Sequence, residues 1–110
     1  MTMQLASRSC TPQRGEKLDR AAAAAFLGQL TGWTMDEKAT SIRRTFKFEN
    51  YYRTMAFVNA VAWIAHKEDH HPDLFVGYNN VSVTYATHSV GGLSENDFVC
   101  AAKVDALGAA

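Results

Sequence analysis

Residues 41–67 read Ser41-Ile-Arg-Arg-Thr-Phe-Lys-Phe-Glu-Asn50-Tyr-Tyr-Arg-Thr-Met-Ala-Phe-Val-Asn-Ala60-Val-Ala-Trp-Ile-Ala-His66-Lys67, and the spacing of their apolar side chains changes at Asn50. Before it, Ile42, Arg44, Phe46 and Phe48 alternate with Arg43, Thr45, Lys47 and Glu49, the period of a strand with one covered and one wetter face. Arg44 interrupts the apolar side, which points to a sheet edge or an interface. After Asn50, a good N-cap, Tyr51, Met55, Val58, Ala62 and Ala65 recur at helical intervals, and Phe57, Val61 and Ile64 widen the stripe. A strand over Ser41–Phe48 therefore runs into a core helix over Tyr51–Lys67.

Ahead of this strand, Trp33–Asp36 reads as a second strand joined through a turn at Glu37-Lys38. Upstream, the alanine run with Leu18, Phe26, Leu27 and Leu30 predicts a helix over Glu16–Leu30, stopped by Gly32. Residues 1–14 show no period and are expected to form a flexible arm ahead of a single domain over 15–108. Downstream, Leu74–Tyr78 and Val81–Thr87 form a hairpin around Asn79-Asn80, with Val81, Val83, Tyr85 and Thr87 on one face. Ser82, Thr84, Ala86 and His88 share the more polar face. Gly91-Gly92 then turns the chain into a last helix capped by Ser94, with Asp97 three residues on. That helix should carry Phe98, Ala101, Ala102, Val104 and Leu107 inward.

Lys and Arg number 11, Asp and Glu 11, and no basic run exceeds Arg43-Arg44, so the electrostatic footprint of a nucleic-acid binder is absent. No apolar stretch approaches the roughly 20 residues that span a bilayer, and the N-terminus has no signal-peptide apolar region, so we expect no membrane partner and a cytoplasmic protein. Cys10 and Cys100, near opposite ends and without C-x-x-C spacing, read as free thiols.

All four histidines lie between residues 66 and 88. His66 is explained by the end of its helix, where the dipole favours a cation. Adjacent His70 and His71, in the irregular stretch before Pro72, are poorly explained by packing. His88, at the end of the hairpin, can fold back toward them. Asp97, a capping acid, can also accept a hydrogen bond from an imidazole and orient it. Three histidines and a carboxylate also suit a metal, an alternative that chemistry alone leaves open, although a His-His-Pro turn is not the i, i+4 spacing of helical zinc ligands. No serine or cysteine sits in a nucleophile-elbow setting. Acid/base chemistry without a cofactor is the favoured reading.

The polar residue, His-His-Pro turn, aromatic, His and Asp at His66, His70-His71-Pro72, Tyr78, His88 and Asp97 resemble the signature of the pterin-4a-carbinolamine dehydratases. Members are also known as dimerization cofactors of a homeodomain transcription factor. Asp-His-His-Pro, Tyr-Asn, Thr-His and Gly-Leu-Ser-Glu-x-Asp extend the similarity from about Glu16 to Leu107. The resemblance implies an α+β fold: a four-stranded antiparallel sheet with three helices packed on one face, in the order α-β-β-α-β-β-α. It implies dehydration of 4a-hydroxytetrahydropterin to quinonoid dihydropterin, with no metal or other cofactor. Implied catalytic residues are His70, His71, His88 and Asp97; implied substrate-binding residues are Asp69, His70, His71, Ala86, Thr87, His88 and Ser89. Implied partners are the pterin, a homodimer or homotetramer and a transcription factor, the last adding a nuclear location. His66 stands where relatives often carry an acid, and Ala86 and Ser89 also depart from the usual pattern.

Overall fold

The computed structural model describes residues 4–12 and 16–108. Helix α1 (Arg20–Leu27) precedes strands β1 (Thr34–Met35) and β2 (Ile42–Lys47), then α2 (Tyr51–Glu68), β3 (Asp73–Val76), β4 (Asn80–Tyr85) and α3 (Glu95–Asp105). Short 3-10 turns lie at Leu5–Ser7 and His88–Val90. The strands form one antiparallel sheet in the order β1-β2-β4-β3. The α+β order read from the sequence is the order observed, with α1 and the four strands shorter than expected and α2 reaching one residue further, to Glu68.

Register explains which face is covered. Ile42 pairs with Tyr85, Phe46 with Val81, and Arg44 with Val83, which also faces Leu74 on β3. Ile42, Phe46, Val81, Val83 and Tyr85 are buried against Phe57, Val61, Ile64, Phe98 and Val104 of the helices. Each such side chain withdrawn from water contributes roughly 1.5–3 kcal/mol. The opposite face carries the Thr45 and Ser82 hydroxyls, bonded at 2.8 Å, and the exposed Phe75 ring on β3 opposite Ser82.

Arg44 does not mark an edge, since β2 lies inside the sheet. Its guanidinium lies over the Phe46 ring at 4.4 Å and donates to Asp105 Oδ1 and the Thr31 carbonyl, both at 2.8 Å. Asp105 also accepts from the Trp33 indole at 2.9 Å, so a half-buried cation is matched by an acid from the end of α3. Gly32 does not end α1, which stops at Leu27; with φ of 82° it lets the chain pass the Arg44 side chain, which an added Cβ would meet at 3.0 Å.

The buried stripe of α2 is Thr54, Phe57, Val61 and Ile64, turned away from the expected line, and Tyr51 and Ala62 face outward. Asn50 caps the helix by accepting from the Arg53 amide at 2.9 Å, contributing about 1 kcal/mol. The Thr54 hydroxyl donates to the Tyr78 carbonyl at 2.9 Å and so ties α2 to the β3–β4 turn. That turn needs no left-handed residue, because neither Asn79 nor Asn80 has a positive φ. Leu107, expected inward, is exposed beyond α3.

Within the expected arm, residues 1–3, 13 and 14 lie outside the described residues. Residues 4–12 are not a free arm. Leu5 is buried in the core, Lys103 donates to the Ala6 carbonyl at 2.9 Å, and Thr11 and Asn96 exchange two hydrogen bonds.

Candidate active site

Three chain segments meet where α2 ends. Asp69 closes α2 with φ of 53°, a left-handed conformation that Asp tolerates better than most residues, and the chain turns sharply into His70. β4 ends at Tyr85, and Thr87 makes an isolated bridge with Gly92, framing the turn that carries His88 and Ser89. Gly91 supplies the turn's positive φ of 70°, and Gly92 admits the Lys17 side chain, which a Cβ there would meet at 2.7 Å. Ser94 and Asp97 complete a capping box at the start of α3.

These segments converge on the carboxylate of Asp97, which is fully buried. Its Oδ1 lies 2.6 Å from His70 Nε2. Its Oδ2 accepts from the Thr87 hydroxyl at 2.8 Å and the Ser94 amide at 3.0 Å. Since Thr87 donates to the acid, the 2.7 Å contact between Thr87 and Ser94 hydroxyls is donated by Ser94. Donation therefore runs from Ser94 to Thr87 to Asp97. The His70 ring stacks on Tyr85 at 5.9 Å and 8°, which fixes its plane.

The Tyr85 hydroxyl is buried without a hydrogen-bond partner among the described residues. Burial pushes its pKa well above the ordinary phenol value, and Cys100, Cys10 and Asp97 add to the rise. It stays a neutral phenol.

A cleft of about 270 Å³ opens beside the pair, lined by Cys10, Thr11, Pro12, Glu68, Asp69, His70, Thr87, Ser89 and Asn96. A roomier hollow of about 390 Å³ between Gln4, Leu30 and Asp105 contains no histidine, and its one acid is already paired with Arg44. The smaller cleft is the one that places an imidazole paired with a buried acid, His70 with Asp97, on its wall.

Of the residues singled out in the sequence, Asp69, His70, Thr87 and Ser89 line this cleft, and Asp97 lies behind His70. His71 and His88 are exposed neighbours in the chain of lining residues; Ala86 is half-buried, and none of the three is in the lining. His71 Nδ1 lies 3.3 Å from the Pro72 carbonyl. His66 packs by Trp63 at 5.9 Å on the outer side of α2, away from the cleft. Sequence reasoning missed Glu68, Asn96 and residues 10–12. The first two sit as spacers within or beside the motif residues; for the third, a docking across the length of the chain leaves no local signal. Among the described residues no three His, Cys, Asp or Glu side chains gather as a metal site.

The family model described as Pterin 4 alpha carbinolamine dehydratase matches residues 16–107. The chain belongs to the pterin-4a-carbinolamine dehydratase family. Relatives named "Putative pterin-4-alpha-carbinolamine dehydratase" include one from Stenotrophomonas maltophilia, 56% identical over 105 residues, 94% of this chain and 90% of the relative. Another, from Xanthomonas campestris, is 60% identical over 100 residues, 89% of this chain and 85% of the relative. Among solved structures, a transcriptional coactivator/pterin dehydratase from Brucella melitensis superposes with a TM-score of 0.81 at 37% identity, covering 86% of this chain and all of that one. A pterin dehydratase-like protein identified as a RuBisCO assembly factor in the α-carboxysome gives 0.60 at 28% identity, covering 69% and 88%. The cleft wall made by residues 10–12 lies ahead of the segment that the family model matches.

Proposed function

We propose that the chain is a 4a-hydroxytetrahydropterin dehydratase acting by histidine acid/base catalysis, returning quinonoid dihydropterin and water to the pterin cycle of aromatic amino acid hydroxylases. The observation that carries the reading is an imidazole held by a buried carboxylate at 2.6 Å on the wall of an open cleft. Dehydration needs a proton delivered to the departing 4a-hydroxyl and the N5 proton removed. The electron pair left on N5 forms the new N5–C4a π bond as the C–O bond breaks, and no step requires a metal. With Asp97 as carboxylate, His70 Nε2 carries the proton between them, leaving Nδ1 for substrate. His70 and His88 are the proposed proton-transferring pair, with His71 holding the pterin and able to share in transfer. Asp69 and the backbone of Ala86, Thr87 and Ser89 are the proposed partners of the ring's donors and acceptors.

The same reading makes the protein a cytoplasmic homodimer or homotetramer. The β3 edge, with Phe75 76% exposed, and the outer side of α2, with Trp63 64% exposed, are the apolar surfaces that assembly would cover. Those surfaces also favour a second reading, a module that stabilises a partner's dimer, in line with the Brucella melitensis neighbour, which is named a transcriptional coactivator as well as a pterin dehydratase. A dehydration assay with and without chelator separates them. Turnover unaffected by chelator supports the enzyme; partner binding with no turnover supports the module.

A further inference from the structure

Cys10 and Cys100 are ninety residues apart in sequence, yet their sulfur atoms lie 3.4 Å apart. Both are free thiols. Cys100 is fully buried on α3, one turn beyond Asp97, while Cys10 is half-buried on the segment that walls the cleft. Other groups hold the two together. The Cys10 amide donates to Glu68 Oε1 at 2.8 Å, and the Thr11 amide donates to Asn96 Oδ1 at 3.0 Å. The Asn96 side chain donates back to the Thr11 carbonyl at 2.7 Å. The sulfurs thus meet because the segment is docked.

We propose that Cys10 and Cys100 form a peroxide-sensitive thiol pair whose disulfide locks residues 4–12 onto α3 as a fixed wall of the cleft. The contact has to shorten by a little over an ångström to reach the S–S length of about 2.05 Å. Cys10, the less buried of the two cysteines, attacks a peroxide oxygen. The O–O bond breaks, Cys10 becomes a sulfenic acid, and the released hydroxide takes the thiol's proton to leave as water. Cys100 sulfur then attacks Cys10 sulfur, the S–O bond breaks, and the departing hydroxide leaves with the Cys100 proton as a second water. Two thiols lose two electrons to one peroxide. The hydrogen bond with Cys10 and burial, with the carboxylates of Glu68 and Asp97 nearby, push the Cys100 pKa well above the ordinary thiol value. Cys100 therefore waits as a thiol, and Cys10 is the first to react.

The test treats the reduced full-length chain with hydrogen peroxide, then maps peptides and measures amide exchange. The expected result is one intrachain Cys10–Cys100 linked peptide, a mass loss of two hydrogens, no alkylatable thiol and full reversal by dithiothreitol. Closing so long a loop should raise Tm by on the order of 10 °C. Exchange at the Cys10 and Thr11 amides should slow at least about tenfold. Cys10→Ser should abolish the linked peptide and the rise in Tm. Two alkylatable thiols after treatment, a disulfide between chains, or Cys10 carried to sulfinic acid beside a free Cys100 would each overturn the pair. A linked peptide with unchanged exchange would overturn the locking. None of these readouts depends on turnover, so they stand apart from the dehydratase reading.

Discussion

Asp97 meets three donors with two oxygens: the His70 imidazole on one side, the Thr87 hydroxyl and Ser94 amide on the other. Asn at this position offers one oxygen and an NH₂ group, so either His70 or the Thr87–Ser94 side must lose its acceptor. Asp97→Asn should lower kcat for dehydration by roughly 10²–10⁴, the range found when an orienting or proton-transferring group is removed. It should also cost about 1–3 kcal/mol in a urea melt, the range for a buried donor left unpaired. A kcat within a few-fold of wild type would show that the carboxylate only caps α3. Tyr85 tests the opposite case, because its buried hydroxyl makes no hydrogen bond among the described residues. Tyr85→Phe keeps the stack on His70 and should change stability by less than about 1 kcal/mol, in either direction. Asp97 was legible in the sequence, since its spacing from Ser94 marks a cap that can also reach an imidazole. Tyr85 was not, because a strand residue gives no sign of which distant ring will lie on it.

Helices and strands were legible where one period dominated and blurred where it did not. The alternation through β2 placed Ile42 and Phe46 inward correctly, yet Arg44 suggested an edge because its partner Asp105 arrives from the end of α3. In α2, apolar residues surround nearly the whole helix, so periodicity could not choose between the Tyr51 line and the Thr54 line; tertiary contacts did. The β1–β2 turn depends on Asp36, which accepts from the Thr40 hydroxyl at 2.5 Å and the amides of Thr40 and Ser41 at 2.6 and 3.0 Å. Slight burial raises its pKa, but these bonds outweigh that and hold it below the ordinary carboxylate value. A depressed folded-state pKa contributes stability that is fully present above the unfolded value and is lost as pH falls through the folded one. Wild type should therefore exceed Asp36→Asn in Tm near about pH 6, and the gap should close on acidification toward about pH 2. A gap independent of pH would mean that charge at Asp36 plays no part.

At the scale of the molecule, the cleft exists because the end of α2, the turn after β4 and residues 10–12 reach one place from distant parts of the chain. The first two were legible through the His-His-Pro turn and the hairpin. The third was not, and its docking converts an expected arm into a wall. The cleft is open, with His70 on its wall and with His71 and His88 beside lining residues in the chain. We propose that these imidazoles move protons on a bound pterin. The most direct measurement is the rate of 4a-hydroxytetrahydropterin dehydration by the chelator-treated chain and by its His71→Ala and His88→Ala variants, each checked for folding by circular dichroism. Turnover in the parent and a loss of at least about tenfold in each folded variant are expected; parent-like rates in both variants would mean that neither imidazole takes part in the dehydration.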